Sequence, residues 1–265
     1  MPGYRAKKRL GQNFLKTAAV IERVVSRLDP QPTDTIVEVG PGRGALTLPL
    51  VESGATVIAV EFDRDLHGYL KALLRDSDNV ELIAGDFLLF DPANIDTPRF
   101  KLIGNLPFNI TSPVVDWCLK YRDRIAAAVL MVQKELGERL AAEPGSRHWS
   151  PLTIFTRMSF EVEACFEVAP KHFRPAPQVT SLVLKLAPLP TPRPISEQFE
   201  RVVRSAFLHR RKQLANNLVA ELGATPDEAR VALDKAGLDT RVRAEAVSID
   251  QFLTLTESLA ARKLV

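Results

Sequence analysis

The residues Gly104-Asn105-Leu106-Pro107-Phe108-Asn109 set an amide, a proline and an aromatic ring directly after the apolar run Phe100 to Ile103. Such a run reads as a buried strand, and its carboxyl end is where open α/β sheets bind their ligands. Asn105 offers an acceptor oxygen, the backbone at Leu106 and Pro107 offers carbonyls, and Phe108 offers a π face. Together these groups suit a planar amine of the adenine type. They also suit a strand that simply ends in a turn, with Pro107 blocking further pairing and Phe108 filling the core, so the assignment depends on the rest of the chain.

Two further strand ends carry chemistry of the same kind. Thr35 to Val39 runs into Gly40-Pro41-Gly42-Arg43-Gly44, and a helical pattern begins at Ala45; glycines at such a turn let backbone approach a ligand closely. The next strand, Ala55 to Val60, ends on Glu61, which is placed to accept hydrogen bonds from ribose hydroxyls. A nucleoside-bearing cofactor is expected. The glycine spacing is G-x-G-x-G and not the dinucleotide fingerprint G-x-G-x-x-G, which disfavours a nicotinamide. A third strand, Val80 to Ala84, ends in Gly85-Asp86-Phe87, whose carboxylate can accept from an exocyclic amine while Phe87 adds apolar surface to a ring. The proline-braced loop His172 to Pro177 carries Phe173, an aromatic able to plug the sheet edge or to clamp a base drawn out of its stack.

The elements that position these groups read as a mixed α/β chain. Apolar spacing predicts helices at Thr17 to Leu28, Ser112 to Tyr121 and Gln133 to Ala142, and a further strand at Ile125 to Val132. Strands alternating with helices imply a parallel sheet covered on both faces. Phe160 to Val168 and Thr180 to Leu186 read as an antiparallel arm joined by the Phe173 loop, and Pro188 to Pro194 as a stiff linker. Helical segments follow at Glu197 to Leu208, Lys212 to Leu222, Pro226 to Ala236 and Ile249 to Ala261. The expected domains are a cofactor-binding catalytic domain over 1–187, a linker over 188–194 and an all-helical domain over 195–265.

Composition bounds the partners. The 265 residues, 46% hydrophobic and 25% charged, suit one sizeable core with a small satellite domain. Net charge is only +3 but uneven: Arg5, Lys7, Lys8, Arg9 and Lys16 open the chain without an acidic neighbour, and Arg201 to Ala220 includes Arg204, Arg210, Arg211 and Lys212 without one. Two such zones suit a polyanion gripped from two sides. Cys118 and Cys165 lack a CxxC partner or a histidine cluster, so neither a disulfide framework nor a metal site is expected. No apolar run reaches the roughly 18 residues of a membrane span, and the basic amino terminus has no apolar segment behind it, so a cytoplasmic protein is expected.

From near its amino terminus to its end the chain resembles the ribosomal RNA adenine dimethyltransferases, the family of the small-subunit dimethyladenosine transferases and the erythromycin-resistance methylases. The resemblance lies in Gly11-Gln12-Asn13-Phe14-Leu15, Val37 to Thr47, Gly85-Asp86, Gly104 to Ile110, Gln133-Lys134-Glu135, Phe173 to Val179 and His209-Arg210-Arg211-Lys212. It implies a Rossmann-like methyltransferase sheet with an appended helical domain, and S-adenosylmethionine as cofactor. Asn13 and Leu15 would lie near the cofactor's methionine end, Gly40 and Gly42 in its loop, Glu61 on its ribose, Asp86 and Phe87 at its adenine, with Gln12 and Asn105 also binding it. The implied target is an adenosine methylated twice on N6. For the small-subunit branch this means two adjacent adenosines in a hairpin near the 3′ end of the RNA, within an immature subunit, with the protein acting as a monomer. Gln133-Lys134-Glu135 and the full helical tail favour that branch over the resistance methylases; an assembly factor with secondary methylation is the other alternative. Phe108 stands where the family usually has Tyr, and His148-Trp149-Ser150 where a Tyr-Gly pair is common.

An adenine N6 lone pair is delocalised into its ring, and no His, Cys or Lys stands in the motif as a base, so positioning must carry the rate. The expected arrangement has Asn105 Oδ1 and the Leu106 or Pro107 carbonyl accepting the amine's protons, Phe108 stacked on the base and Phe173 closing its other face.

Overall fold

The computed structural model describes residues 6, 7 and 10–265. The chain divides into two units, Met1–Gly137 with Phe160–Pro188 and Glu138–Ser159 with Leu189–Val265. The first begins with β1 (Phe14–Leu15), α1 (Ala18–Leu28), β2 (Thr35–Val39), α2 (Thr47–Glu52), β3 (Thr56–Glu61), α3 (Arg64–Leu73) and β4 (Val80–Ala84). It continues through β5 (Phe100–Asn105), α4 (Thr111–Lys120), β6 (Ile125–Gln133) and α5 (Lys134–Leu140), inside which the boundary falls. After α6 (Pro151–Ser159), which is in the second unit, the first resumes with β7 (Phe160–Val168), β8 (Phe173–Arg174) and β9 (Ser181–Pro188). The second unit is completed by α7 (Glu197–Leu208), α8 (Leu214–Leu222), α9 (Pro226–Lys235) and α10 (Ile249–Ala260).

A seven-stranded sheet runs in the order β4-β3-β2-β5-β6-β9-β7. The first five strands are parallel, and β9 pairs antiparallel with both β6 and β7. Register decides where the site lies. Val39 is opposite both Val60 and Gly104, and Glu61 is opposite Ala84, so β2, β3, β4 and β5 end along one edge. Backbone bonds from Gly40 N to Val60 O and from Gly85 N to Glu61 O, both 3.0 Å, keep the departing loops in line.

The side-chain alternation of strands places successive residues on opposite faces. Ile36, Val57, Ala59, Ile103, Val129, Met131 and Val183 form one face, covered by Val20, Val24, Val25 and Leu28 of α1 and Leu50 of α2. On the other face Phe100 meets Trp117 of α4, whose ring also packs on Phe87 at 4.5 Å and on Tyr121 at 4.7 Å. The Trp117 indole N–H donates to Phe90 O at 3.0 Å. α1 stops where Asp29 turns left-handed at φ 50° ahead of Pro30.

Three sequence expectations change. β7 and β9 are no separate arm: Leu182, Val183, Leu184 and Leu186 are buried on both faces of β9, so it enters the sheet between β6 and β7 instead of projecting from it. The proline-rich stretch after Pro188 belongs to the helical unit, tied to the end of α6 by Leu189 N to Ser159 O and Arg193 N to Met158 O, both 2.9 Å. That unit also takes in residues 138–159, which the sequence reading assigned to the first domain. Here Trp149 is 1% exposed and its indole N–H donates to Val247 O at 2.9 Å, so the departure at His148-Trp149-Ser150 is a packing choice. Phe155 meets Phe199 edge-on, and Phe207 meets Phe252.

Candidate active site

A cavity of about 350 Å³ opens where β2, β3, β4 and β5 end. Every catalytic and cofactor candidate from the sequence lines it: Gln12, Asn13 and Leu15; Gly40 and Gly42; Glu61; Asp86 and Phe87; Asn105, Leu106, Pro107 and Phe108; and Phe173.

The glycine loop leaves β2 with Gly40 at φ +64° and Gly42 at φ +61°, a region that disfavours a Cβ. A Cβ on Gly40 would meet nothing within 4 Å, so that backbone faces open space, whereas one on Gly42 would lie 3.1 Å from the Phe14 ring. The ring of Phe14 therefore rests on the loop, with the Arg43 guanidinium 4.9 Å from its centroid. Glu61 braces the loop from below: Oε2 accepts from Gly42 N at 2.9 Å and Oε1 from Asp63 N at 2.8 Å. A carboxylate has about four acceptor sites, and with the backbone of Gly42, Asp63 and Phe62 on it Glu61 retains capacity for a further hydroxyl donor. Burial raises the Glu61 acid above the ordinary carboxylate range, opposed by those backbone bonds.

Glu38, which the sequence reading passed over as a strand residue, lines the same cavity with only 1% exposure. Its Oε2 accepts from Thr47 Oγ1 at 2.7 Å. Burial pushes its pKa up to about 8, against the Thr47 bond and with help from Glu61. The signal available in the sequence was a lone acid inside the apolar strand Thr35 to Val39.

At the β5 end, Asn105 Nδ2 donates to Asn13 O at 2.8 Å. That bond fixes the amide orientation and turns Oδ1, the acceptor, over to an incoming group. The Pro107 carbonyl is already taken by Ile110 N at 3.1 Å and Thr111 Oγ1 at 3.3 Å, which satisfies both lone pairs. Of the two backbone acceptors expected here, only Leu106 O remains suitable. Phe108 is half-buried on the cavity wall. Asp86 combines a lining position with a structural one, since Oδ1 accepts from Leu88 N at 2.9 Å. Phe87 and Phe173 are 4% and 3% exposed, so each presents one side to the cavity and packs the other into the core. Gln12 is turned toward Asp63, to whose Oδ2 it donates at 2.9 Å.

The basic candidates separate by their partners. Arg5, Lys8 and Arg9 lie outside the described residues. Lys7 does not face solvent as a free cation: Nζ lies 2.6 Å from Asp63 Oδ1 and 2.8 Å from Asp65 Oδ2. Arg204 pairs with Glu200 at 2.7 Å and lies over Phe155. Arg210 donates to the carbonyls of Arg147 and Trp149. Arg211 and Lys212 are exposed in the turn between α7 and α8. The buried Asn217 holds that turn, donating to Ala206 O at 2.6 Å and His209 O at 3.3 Å. Among the described residues no group of His, Cys, Asp and Glu could hold a metal ion, and no helix is long and apolar enough to cross a membrane.

Comparisons with known proteins give the arrangement a context. Residues 3–261 match the family model for ribosomal RNA adenine dimethylase. A ribosomal RNA small subunit methyltransferase A of Geobacter metallireducens is 40% identical, covering 98% of this chain and 97% of its own. One of the same name from Thermosynechococcus vestitus is 40% identical over 96% and 97%. Among solved structures, the 23S rRNA methyltransferase ErmE superposes with TM-score 0.76 at 29% identity, covering 94% of this chain and 100% of its own. A dimethyladenosine transferase from Plasmodium falciparum has TM-score 0.79 at 23% identity, over 94% and 98%, which speaks for the fold. With its Rossmann-like sheet, and its glycine loop, Glu61 and Asn-Leu-Pro-Phe motif on one cavity, the chain belongs to the ribosomal RNA adenine dimethylase family.

Proposed function

We propose that this chain transfers methyl groups from S-adenosylmethionine to N6 of two adjacent adenosines in a hairpin near the 3′ end of small-subunit ribosomal RNA, acting as a cytoplasmic monomer on an immature subunit. The observation that carries the chemistry is the convergence of Asn105, Leu106 and Phe108 with Gly40 and Glu61 on one cavity. The open space over Gly40 and the spare acceptor capacity of Glu61 fit the cofactor. Near-full-length relatives at 40% identity with small-subunit names support the choice of RNA.

When bound, the cofactor supplies an electrophilic methyl group on a sulfonium. The protein's share is to hold and orient. Gly40 and Gly42 let backbone come close, Glu61 takes the ribose, Asp86 and Phe87 take the adenine, and Asn13 and Leu15 close the methionine end. Asn105 Oδ1 and Leu106 O accept the two protons of the target amine, which favours a pyramidal nitrogen with its lone pair directed away from the ring. Phe108 stacks on the base and Phe173 backs it. Once methylated the nitrogen is cationic and strongly acidic, and its proton passes to water, so no stronger side-chain base is required. The helical unit grips RNA phosphates through the exposed Arg211 and Lys212 of the turn between α7 and α8.

The test is methyl transfer from labelled S-adenosylmethionine to unmethylated small subunits and, separately, to protein-free large-subunit RNA, with the acceptor nucleoside identified by mass. Dimethyladenosine in the small-subunit hairpin is the expected result. Label in the large-subunit RNA would overturn the choice of substrate and place the chain with the resistance methylases. No label in either, with subunit binding intact, would make it an assembly factor.

A further inference from the structure

Leu10 to Leu15 form one wall of the cavity, with Leu15 buried in the core and the Phe14 ring against the glycine loop. At its far end β1 pairs with β8, and Lys16 N donates to His172 O at 3.0 Å. In the middle Asn105 Nδ2 holds Asn13 O. At its near end the fastening is ionic. Lys7 Nζ contacts Asp63 and Asp65, Lys7 N donates to Gln12 Oε1 at 2.8 Å, and Gln12 Nε2 donates to Asp63 Oδ2. Asp63 is itself rooted in the site. Its N–H donates to Glu61 Oε1, its carboxylate caps α3 through Asp65 N, and its side chain is 1% exposed.

We infer that Lys7 and Asp63 are positioning residues that latch the Leu10 to Leu15 wall over the bound cofactor. The inference rests on reading this cavity as the cofactor site. Charge-assisted bonds to a carboxylate are about twice as strong as neutral ones, and a pair that is partly removed from water is screened less than an exposed one. The two carboxylates also hold the Lys7 ammonium charged, above lysine's ordinary range. Loss of the cation removes a charge-assisted bond from the buried Asp63, to which Gln12 is also tied, so the near end of the wall opens more often. Because the wall is attached to the ribose acid through Asp63, a bound cofactor tightens both together. Asp65, at 64% exposure, contributes less.

The experiment uses the full-length protein and S-adenosylhomocysteine, the unreactive product, as the probe. Its affinity and dissociation rate are measured for the unaltered protein and for Lys7→Met, Lys7→Arg and Asp65→Ala, alongside affinity for unmethylated small subunits. Lys7→Met is expected to release the probe about tenfold faster and to raise the cofactor KM in proportion, the loss falling on KM rather than kcat. Lys7→Arg restores both, and Asp65→Ala changes release by less than about threefold. Subunit affinity is unmoved, and the melting temperature of the ligand-free protein falls with Lys7→Met and is restored by Lys7→Arg. The latch is overturned if Lys7→Met holds the probe as the unaltered protein does while its subunit affinity falls, which would make Lys7 a phosphate contact. Failure of the unaltered protein to bind the probe would overturn the cavity assignment and the latch with it.

Discussion

Glu38 offers the sharpest test of the site's electrostatics. In the folded protein its acid is raised to about 8 from an ordinary 4.5, with burial the largest cause. The sign follows from proton counting. Below about pH 4.5 both folded and unfolded chains hold the proton, and Glu38 contributes no pH dependence. Between 4.5 and about 8 the unfolded chain releases it while the fold retains it, so stability falls as pH rises; above 8 the full penalty is present. At about 1.4 kcal/mol per pH unit, that window sets a ceiling of roughly 5 kcal/mol. Glu38→Gln removes the titration and keeps an oxygen to accept from Thr47 Oγ1. Urea unfolding of both proteins across the range from about pH 5 to pH 9, read by far-ultraviolet circular dichroism, gives the difference, because the titrating groups that do not interact with Glu38 cancel and Glu61 is the coupled one. The variant is expected to match the unaltered protein near pH 5 and to exceed it by at least about 2 kcal/mol at pH 8. Parallel stability curves would show that Glu38 is ionised in the fold across the range, and the account of its burial would be wrong.

Three other outcomes follow from the same geometry. Asn105→Ala removes the amine acceptor and the tether to Asn13 O; methylation should fall by at least about a thousandfold while S-adenosylhomocysteine affinity falls by less than tenfold, and retained activity would remove Asn105 from the mechanism. Gly42→Ala places a Cβ 3.1 Å from the Phe14 ring at φ +61°, whereas Gly54→Ala, at φ +81°, meets only Pro32 at 3.5 Å. Both should lose about 1–2 kcal/mol of stability, but calorimetric binding should show weakened S-adenosylhomocysteine affinity for Gly42→Ala alone. Arg211→Ala should lower the salt dependence of RNA binding by about one phosphate contact, whereas Arg210→Ala, whose guanidinium already serves the Arg147 and Trp149 carbonyls, should chiefly lower the melting temperature. Equal salt slopes for the two variants would contradict that division.

The sheet was readable because its parallel strands are near-continuous apolar runs that end in glycine, acid or amide, and those ends are the site. Thr35 to Val39, Val80 to Ala84 and Phe160 to Val168 have the expected bounds. Shorter or mixed signals were missed. β1 and β8 are two residues each, too short to show alternation. α3 carries Gly68 in its middle, and α6 strings Thr153, Ile154, Phe155 and Thr156 together, residue types that favour strands. Pairing between distant charges is invisible in one sequence, so Lys7 read as a phosphate contact when Asp63 was its partner. The proline-rich stretch read as a linker because composition reports stiffness, not what the stiff segment rests on.

The interleaving of the two units also has a consequence for synthesis. A chain growing from its amino end exposes Trp149 and Phe155 long before Val247 and Phe199 exist to meet them. β7 likewise waits for β9, beside which it pairs at the edge of the sheet. Neither unit can finish before the other has begun, which leaves apolar surface open during translation. A chain cut after Pro188 would keep that surface permanently, so the helical unit is no removable appendage even though its last stretch begins at a run of prolines.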